Sequence, residues 1–393
     1  MASDLQGVNR KERVMKSKVL LVDDDAMVLA GLKRHLRNKF RIETALSAEE
    51  GLKRIEENGP YAVIVSDFSM PGMNGIEFLC QVKETDPDSV RMMLTGSADM
   101  STAIQAVNEG SIFQFHPKPC PPDTLGKAIQ SGIDAYRKTT TDQTQFKKVQ
   151  RSLAQASMIQ QNLVPKSNPQ IEGYDIAGKS IWCDETSGDY YDFIQPVEWE
   201  QKKIGIVVAD VIGHGISSAL LMTTARAFFR ERVLNPGSST ALVADVNQRL
   251  VRDIEDLNLF ITLFYSEIDI NERCFRWVHA GHEPAMLYDP AEDSFEALGG
   301  EGLPLGVMKD WVYAESKKQL HSGQIILIGT DGIKETHNKQ NELFGAERFN
   351  RVIRDYAHKP ANEIINEMFD TLESFRFPVE RKDDETLVVI KVL

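Results

Sequence analysis

Aspartates carry most of the chemistry legible in this chain. Asp23, Asp24 and Asp25 follow the apolar run Val19 to Val22, and Asp67 follows the run YAVIVS. Carboxylates brought together repel one another unless a proton or cation intervenes. A hard divalent ion with oxygen ligands, such as Mg²⁺, is the economical answer for Asp23, Asp24 and Asp67. Asp25 reads as a helix cap. Thr95 ends the run VRMML, and Lys118 with Pro119 follows SIFQF, so a hydroxyl and an ammonium face the same acidic pocket. In that setting Asp67 acts as nucleophile toward a phosphoryl group. The metal and Lys118 offset its charge, and Thr95 supplies one new hydrogen bond.

A second set lies further along: Asp189 in SGDYYDF, Asp210 in VVADVIGHG, Asp331 in IGTDGIKE, and Asp383 with Asp384 in RKDDETLVVIK. Singly, each is an ordinary turn residue. Together they hold two hard cations and place a water beside a phosphate, if the fold makes them converge. Asp192 is a more exposed alternative within YYD. Gly213 and Gly215 permit close backbone approach. His214 between them reads either as a phosphate or metal contact or as a loop histidine bound to a backbone carbonyl. His279 and His282, in VHAGHEP, read as structural rather than as zinc ligands, having no neighbouring cysteine. Cys80, Cys120, Cys183 and Cys274 are far apart and signal neither a disulfide framework nor a zinc knuckle.

These residues need elements to position them. From Lys18 to Arg137 an apolar strand, a loop and an amphipathic helix alternate five times, the last helix running from about Pro122 to Tyr136. That is the pattern of a parallel sheet covered on both faces, with polar ligands at the carboxyl ends of its strands. TTTDQTQ then reads as a joint, with a helix from about Asp142 to Leu163. Phe146, Val149, Leu153, Ala156, Gln160 and Leu163 recur there at spacings of three and four. A helix packed on its own domain and a homodimer seam through residues 142–163 fit that pattern equally. From Ile171 onward strands dominate with helices inserted, which fits an α+β domain of antiparallel sheets and helices. The expected division is a flexible tail over 1–16, a first domain over 17–138, a helical linker over 139–168 and a second domain over 169–393.

The chain has 393 residues, 42% of them hydrophobic, and a formal net charge of -13. That acidity argues against nucleic acid or an anionic membrane as partner. No apolar stretch near 18 residues and no secretory pattern is present, so a cytoplasmic protein is expected.

DDD, SDFSMPGMNG, LTGSA and FHPKP resemble the two-component response-regulator receiver family. The resemblance implies a five-stranded, doubly wound, CheY-like α/β domain. In it Asp23 and Asp24 are the acidic pair for Mg²⁺, Asp67 is a metal ligand and the phosphoacceptor, Thr95 is the switch hydroxyl, and Lys118 precedes a cis peptide at Pro119. Phe115 occupies the aromatic switch position or is a core residue. A sensor histidine kinase or phosphotransfer protein is the implied donor. SGDYYDF, VVADVIGHG, FITLFY, HAGHEPAMLY, LPLGV, TDGIKE and the linker's SLAQASMIQQNLVP are similar to the SpoIIE/RsbU branch of the PPM (PP2C-like) phosphatases. That resemblance implies a β-sandwich flanked by helices and two Mn²⁺ or Mg²⁺ ions. Their ligands would be Asp189, Asp210, Asp331 and Asp384, with the Val211 carbonyl as a backbone ligand. It departs at Ser187-Gly188, where the family has two glycines.

The two resemblances together imply a phosphorylation-controlled, metal-dependent protein serine/threonine phosphatase. Its substrate would be a phosphorylated STAS-type anti-anti-sigma protein. The alternative is a phosphorylation-switched adaptor that binds a sigma-factor regulator without turnover.

Overall fold

The computed structural model describes residues 17–96, 112–196, 199, 202–235, 237–255 and 257–393. The tail expected over 1–16 lies outside these residues, as do Ser97 and Ala98 of LTGSA and Ser111 of the expected fifth strand. The chain divides into two units, Met1–Val149 and Gln150–Leu393.

In the first unit five strands form one sheet: β1 (Lys18–Val22), β2 (Arg41–Ala45), β3 (Val63–Asp67), β4 (Val90–Thr95) and β5 (Gln114–Pro117), in the order β2-β1-β3-β4-β5. Every pairing is parallel. Because alternate side chains leave opposite faces, Val19, Leu21, Val63 and Val65 pack on one side and Leu20, Val22 and Ile64 on the other. Both faces are covered, as a parallel sheet requires. Helices α1 (Ala26–Leu36), α2 (Ala48–Asn58) and α3 (Gly75–Thr85) start at side-chain caps. Asp25 caps α1 as expected, accepting from the Met27 and Val28 N–H groups.

The last helix of this unit differs from expectation. The helices read over 122–136 and 142–163 are one, α4 (Pro122–Gln161). Its polar middle is tolerated because the hydroxyls of Thr140 and Thr144 donate back to the carbonyls of Tyr136 and Thr140. Gln143 bonds Asp88 at 2.9 Å as well. Hydroxyls satisfied this way do not force a break.

The second unit is a sandwich of two sheets. One, in the order β14-β11-β10-β9-β8, comprises β8 (Tyr190–Ile194), β9 (Lys203–Val211), β10 (Ile261–Asp269), β11 (Cys274–Ala280) and β14 (Glu315–Gln319). The other, in the order β13-β12-β15-β16-β7-β6, comprises β6 (Gln170–Ile171), β7 (Tyr174–Ile181), β12 (Ala285–Asp289), β13 (Ser294–Leu298), β15 (Ile325–Gly329) and β16 (Glu385–Val392). Ile206, Val208 and Phe264 from the first sheet meet Ile326, Ile328, Val388 and Ile390 from the second between the layers. The alternate residues face outward. Val207, Ala209 and Leu263 receive α5 (Ile216–Arg232) and α6 (Ser239–Ile254), while Leu327, Leu387 and Val389 receive α8 (Gly345–Tyr356) and α9 (Ala361–Arg376). A short helix α7 (Asp331–Glu335) follows β15. Buried side chains such as Phe229, Leu250, Ile353 and Leu372 each contribute about 1.5–3 kcal/mol on leaving water.

Candidate active site and phosphoacceptor cluster

In the first unit the loop after β1 carries Asp23 and Asp24, and β3 ends on Asp67. One ligand oxygen of each lies within 4.8 Å of the others, close enough for a single cation. Asp23 and Asp67 are buried and Asp24 is exposed. Lys118 donates to Asp23 at 2.8 Å and approaches Asp67 at 2.7 Å. The Lys118-Pro119 peptide is cis. Burial pushes the Asp67 carboxyl above its ordinary pKa, against the pull of Lys118. Although burial works against the Lys118 charge, its bonds to Asp23 and Asp67 raise its pKa overall. Thr95 is fully buried at the end of β4, and its own carbonyl accepts from the Lys118 N–H. Phe115 is partly buried and packs against the core.

The second set of aspartates is assembled by strand ends and glycines. Asp210 lies near the end of β9, Asp331 starts α7, and Asp384 immediately precedes β16. Gly332 lets α7 reach β16: a Cβ there would stand 2.1 Å from the Asp384 carbonyl. Gly188 serves the same purpose opposite β9, where a Cβ would meet the Val211 carbonyl at 3.0 Å. Ser187 has no such restriction, and its side chain is used. Its Oγ donates to Asp384 Oδ2 at 2.7 Å and accepts from the Asp189 N–H at 3.0 Å. Asp384 also accepts from the Gly188 and Cys183 N–H groups, each at 2.8 Å. Thr330 donates to Asp189 at 2.9 Å.

These carboxylates feel one another. Burial, then Asp210 and Asp384, holds the Asp189 carboxyl well above the usual range. Burial, then Asp331, Asp383 and Asp384, pushes Asp210 up to about 7. Asp331 and Asp383 are raised too, mainly by burial. The neighbouring cations among the described residues pair with other carboxylates, Lys334 with Glu283 at the edge of the cavity that Asp210 and Asp331 line, and both Arg376 and Arg381 with Glu385. Among the described residues no second trio of ligand atoms closes to 4.8 Å as in the first unit. Hard oxygen donors that repel one another and have no ammonium or guanidinium partner among the described residues suit divalent cations.

Two side chains differ from the sequence reading. Asp192 is not the more exposed alternative: it is fully buried and held by Arg230 at 2.7 and 2.8 Å and by the Tyr190 hydroxyl at 2.7 Å. Strand alternation turns it to the face that α5 covers, opposite Val207, and the bidentate Arg230 guanidinium offsets its charge. His214 bonds the Asp184 carboxylate at 2.7 Å rather than a backbone carbonyl. Gln160, open in the sequence between a helix packed on its own domain and a homodimer seam, is buried and bonds both sides of the Ser187 peptide, donating to its carbonyl at 2.6 Å and accepting from its N–H at 3.0 Å, which fits the first. A glutamine among apolar seam positions was the available signal for that contact. His279 and His282 hold structural positions, His279 on the His282 carbonyl and His282 on Thr262. Burial, with a smaller effect of His279, pushes His282 down to about 3, so its ring is neutral. Glu283 and Thr262, which join Asp210 and Asp331 around one cavity of about 110 Å³, carried no sequence signal of their own.

The family model described as "Response regulator receiver domain" matches residues 19–130, and that described as "Stage II sporulation protein E (SpoIIE)" matches residues 200–393. The chain is 28% identical over 257 residues to "Phosphoserine phosphatase RsbU" of Bacillus subtilis (strain 168), covering 65% of this chain and 75% of that protein. It is 26% identical over 256 residues to "Phosphoserine phosphatase RsbP" of the same organism, covering 63% of this chain but only 60% of that relative. The solved "SiaA-PP2C domain of Pseudomonas aeruginosa" superposes with a TM-score of 0.54 at 24% identity, covering 62% of this chain and 97% of that one, and shows the fold of the second unit.

Proposed function

Since this chain joins a response-regulator receiver domain to a SpoIIE-type, PP2C-like phosphatase domain, we propose that phosphorylation of Asp67 controls hydrolysis of a protein phosphoserine or phosphothreonine at Asp189, Asp210, Asp331 and Asp384. One observation carries this reading: buried and half-buried carboxylates from separate strand ends repel one another, with no cation among the described residues paired to them. Two Mn²⁺ or Mg²⁺ ions bound there would supply charge to phosphoryl oxygens and make water more acidic. Asp189, Asp210, Asp331 and Asp384 would hold them through side chains and Val211 through its carbonyl. The chain's own part is placement. Ser187, Gly188 and Cys183 fix both oxygens of Asp384, and Thr330 fixes Asp189.

In the first unit Asp67 takes the phosphoryl group, Asp23 and Asp24 hold Mg²⁺ beside it, Lys118 offsets charge and Thr95 donates to the new phosphoryl oxygen. The donor is a histidine kinase or phosphotransfer protein. The similarity to two phosphoserine phosphatases supports a phosphoserine substrate, and the SpoIIE/RsbU resemblance implies that it is a phosphorylated STAS-type anti-anti-sigma protein. Residues 142–163, apart from the buried Gln160, would form the homodimer contact. No helix among the described residues is long and apolar enough to cross a membrane.

The test is phosphate release from phosphorylated STAS proteins with Mn²⁺ or Mg²⁺, with and without a small-molecule phosphodonor. Turnover should require Asp331 and respond to the donor only when Asp67 is present. Binding of the phosphoprotein without turnover would replace this reading with the adaptor.

A further inference from the structure

Thr262 on β10 stands directly opposite Asp210 on β9 in the antiparallel register. Opposed residues project from the same face of a sheet. With Gly281, His282, Glu283 and Asp331 they line the cavity described above. The Thr262 hydroxyl lies 2.9 Å from His282 Nδ1, against 3.5 Å from the Asp210 carbonyl, so the histidine is its closer partner. His282 is 5% exposed. The Gly329 carbonyl acts on its ring, and the buried Nε2 has no hydrogen-bond partner among the described residues. With the ring hydrogen on Nε2, Nδ1 is bare and accepts from the Thr262 hydroxyl.

The direction of the hydroxyl follows. A threonine oxygen has one hydrogen and two lone pairs. With its hydrogen given to Nδ1, Thr262 presents only lone pairs to the cavity it shares with Asp210 and Asp331. A water there can donate to Thr262 but cannot accept from it.

We propose that His282 carries its hydrogen on Nε2 and forms a positioning pair with Thr262: the histidine locks the Thr262 oxygen as an acceptor, and that oxygen orients the attacking water between Asp210 and Asp331. This rests on the phosphatase reading of the second unit and adds to it residues that are not carboxylates. Thr262 touches the water and is no metal ligand, so removing its hydroxyl should cost kcat and spare both KM and metal binding.

The test uses the full chain, with p-nitrophenyl phosphate and Mn²⁺ as probes. T262V, which keeps the β-branched shape, should lower kcat by about 10- to 100-fold with KM unchanged. Mn²⁺ affinity, measured by calorimetry without substrate, should stay within about threefold of wild type, well short of the 10- to 100-fold typical of disturbing a metal's surroundings. T262S should restore kcat. H282F, which leaves the hydroxyl free to turn, should lower kcat similarly, and the double variant should be no worse than either single one. If H282F does not fold, T262V against T262S decides. Wild-type turnover with T262V equally active would overturn the positioning role alone, as would loss of Mn²⁺ binding in T262V or multiplicative effects in the double variant. A wild type that binds Mn²⁺ and releases no phosphate would overturn the phosphatase reading and this proposal with it.

Discussion

Both units gather aspartates at strand ends, yet they deal with the resulting charge in opposite ways. The first brings its own cation: Lys118 reaches Asp23 and Asp67 at once. The second surrounds its carboxylates with neutral donors, the Ser187 and Thr330 hydroxyls and the Cys183 and Gly188 amides. Such donors orient a carboxylate without neutralising it. The first cluster therefore suits a group that must gain and lose a phosphoryl charge. The second keeps repulsion that a proton or a bound cation relieves.

The largest effect should come from removing a carboxylate of the second set. D331A should lower phosphatase turnover by on the order of 10³-fold while leaving the thermal unfolding of the metal-free chain nearly unchanged. Retained turnover with bound metal would remove Asp331 from the site. In the first unit, D67A should abolish phosphoryl uptake from a small-molecule donor and leave basal turnover in place; uptake that persists would place the phosphoryl group elsewhere.

K118A tests the internal cation directly. It leaves Asp23 and Asp67 facing each other without their ammonium. The first unit should lose about 1–2 kcal/mol, less than a fully buried pair because Lys118 is about a third exposed. Denaturant unfolding with and without Mg²⁺ measures this. Recovery with Mg²⁺ would show that the ion replaces the ammonium's charge, and no loss at all would break the contrast between the units.

The pH dependence has a defined sign. The folded Asp210 pKa of about 7 lies above its ordinary value of 3.8. Its contribution to stability is fully present below the unfolded value and is lost as pH rises through about 7. Metal-free protein should therefore protect the amides of β9 and β10 from hydrogen exchange less at pH 8 than at pH 5. D210N or saturating Mn²⁺ should flatten that slope. A flat profile in metal-free wild type would mean that the carboxylates do not repel as described.

The smallest effect concerns Ser187. S187G removes the hydroxyl bonded to Asp384 and should cost about 1–2 kcal/mol, weakening Mn²⁺ binding by about tenfold. The backbone bonds to Gln160 should survive. Unchanged Mn²⁺ affinity by calorimetry would show that the hydroxyl does not help place the carboxylate.

Much of this architecture was legible from local pattern. The apolar runs at Val19, Val63 and Val90 became the buried strands of a parallel sheet, because continuous apolar segments fit only an interior covered on both sides. CFRWVHA became β11 with its ends as read. Elements whose residues are mostly polar were not singled out. β14, ESKKQ, is an edge strand with an alternating exposed face, and α8 carries charged residues around a narrow apolar stripe of Phe349, Val352 and Ile353. The apparent joint TTTDQTQ was hidden by hydroxyls that bond within the helix.

By itself the sequence determined which residues could do the chemistry: carboxylates beside glycines, a lysine before a proline, and apolar runs that must be buried. Those are properties of residue type and short spacing. Only the tertiary structure decided which carboxylate receives which partner. Asp192 went to Arg230, Asp384 to Ser187 and the Cys183 and Gly188 amides, and Asp23 and Asp67 to Lys118. The reason is physical: burial makes an unpaired charge costly, so its partner is whatever the packing of distant segments brings within bonding distance. Thr262 and His282 show the same division, since a threonine in a strand and a histidine in a loop acquire a direction only where β9, β10 and the turn after β11 meet.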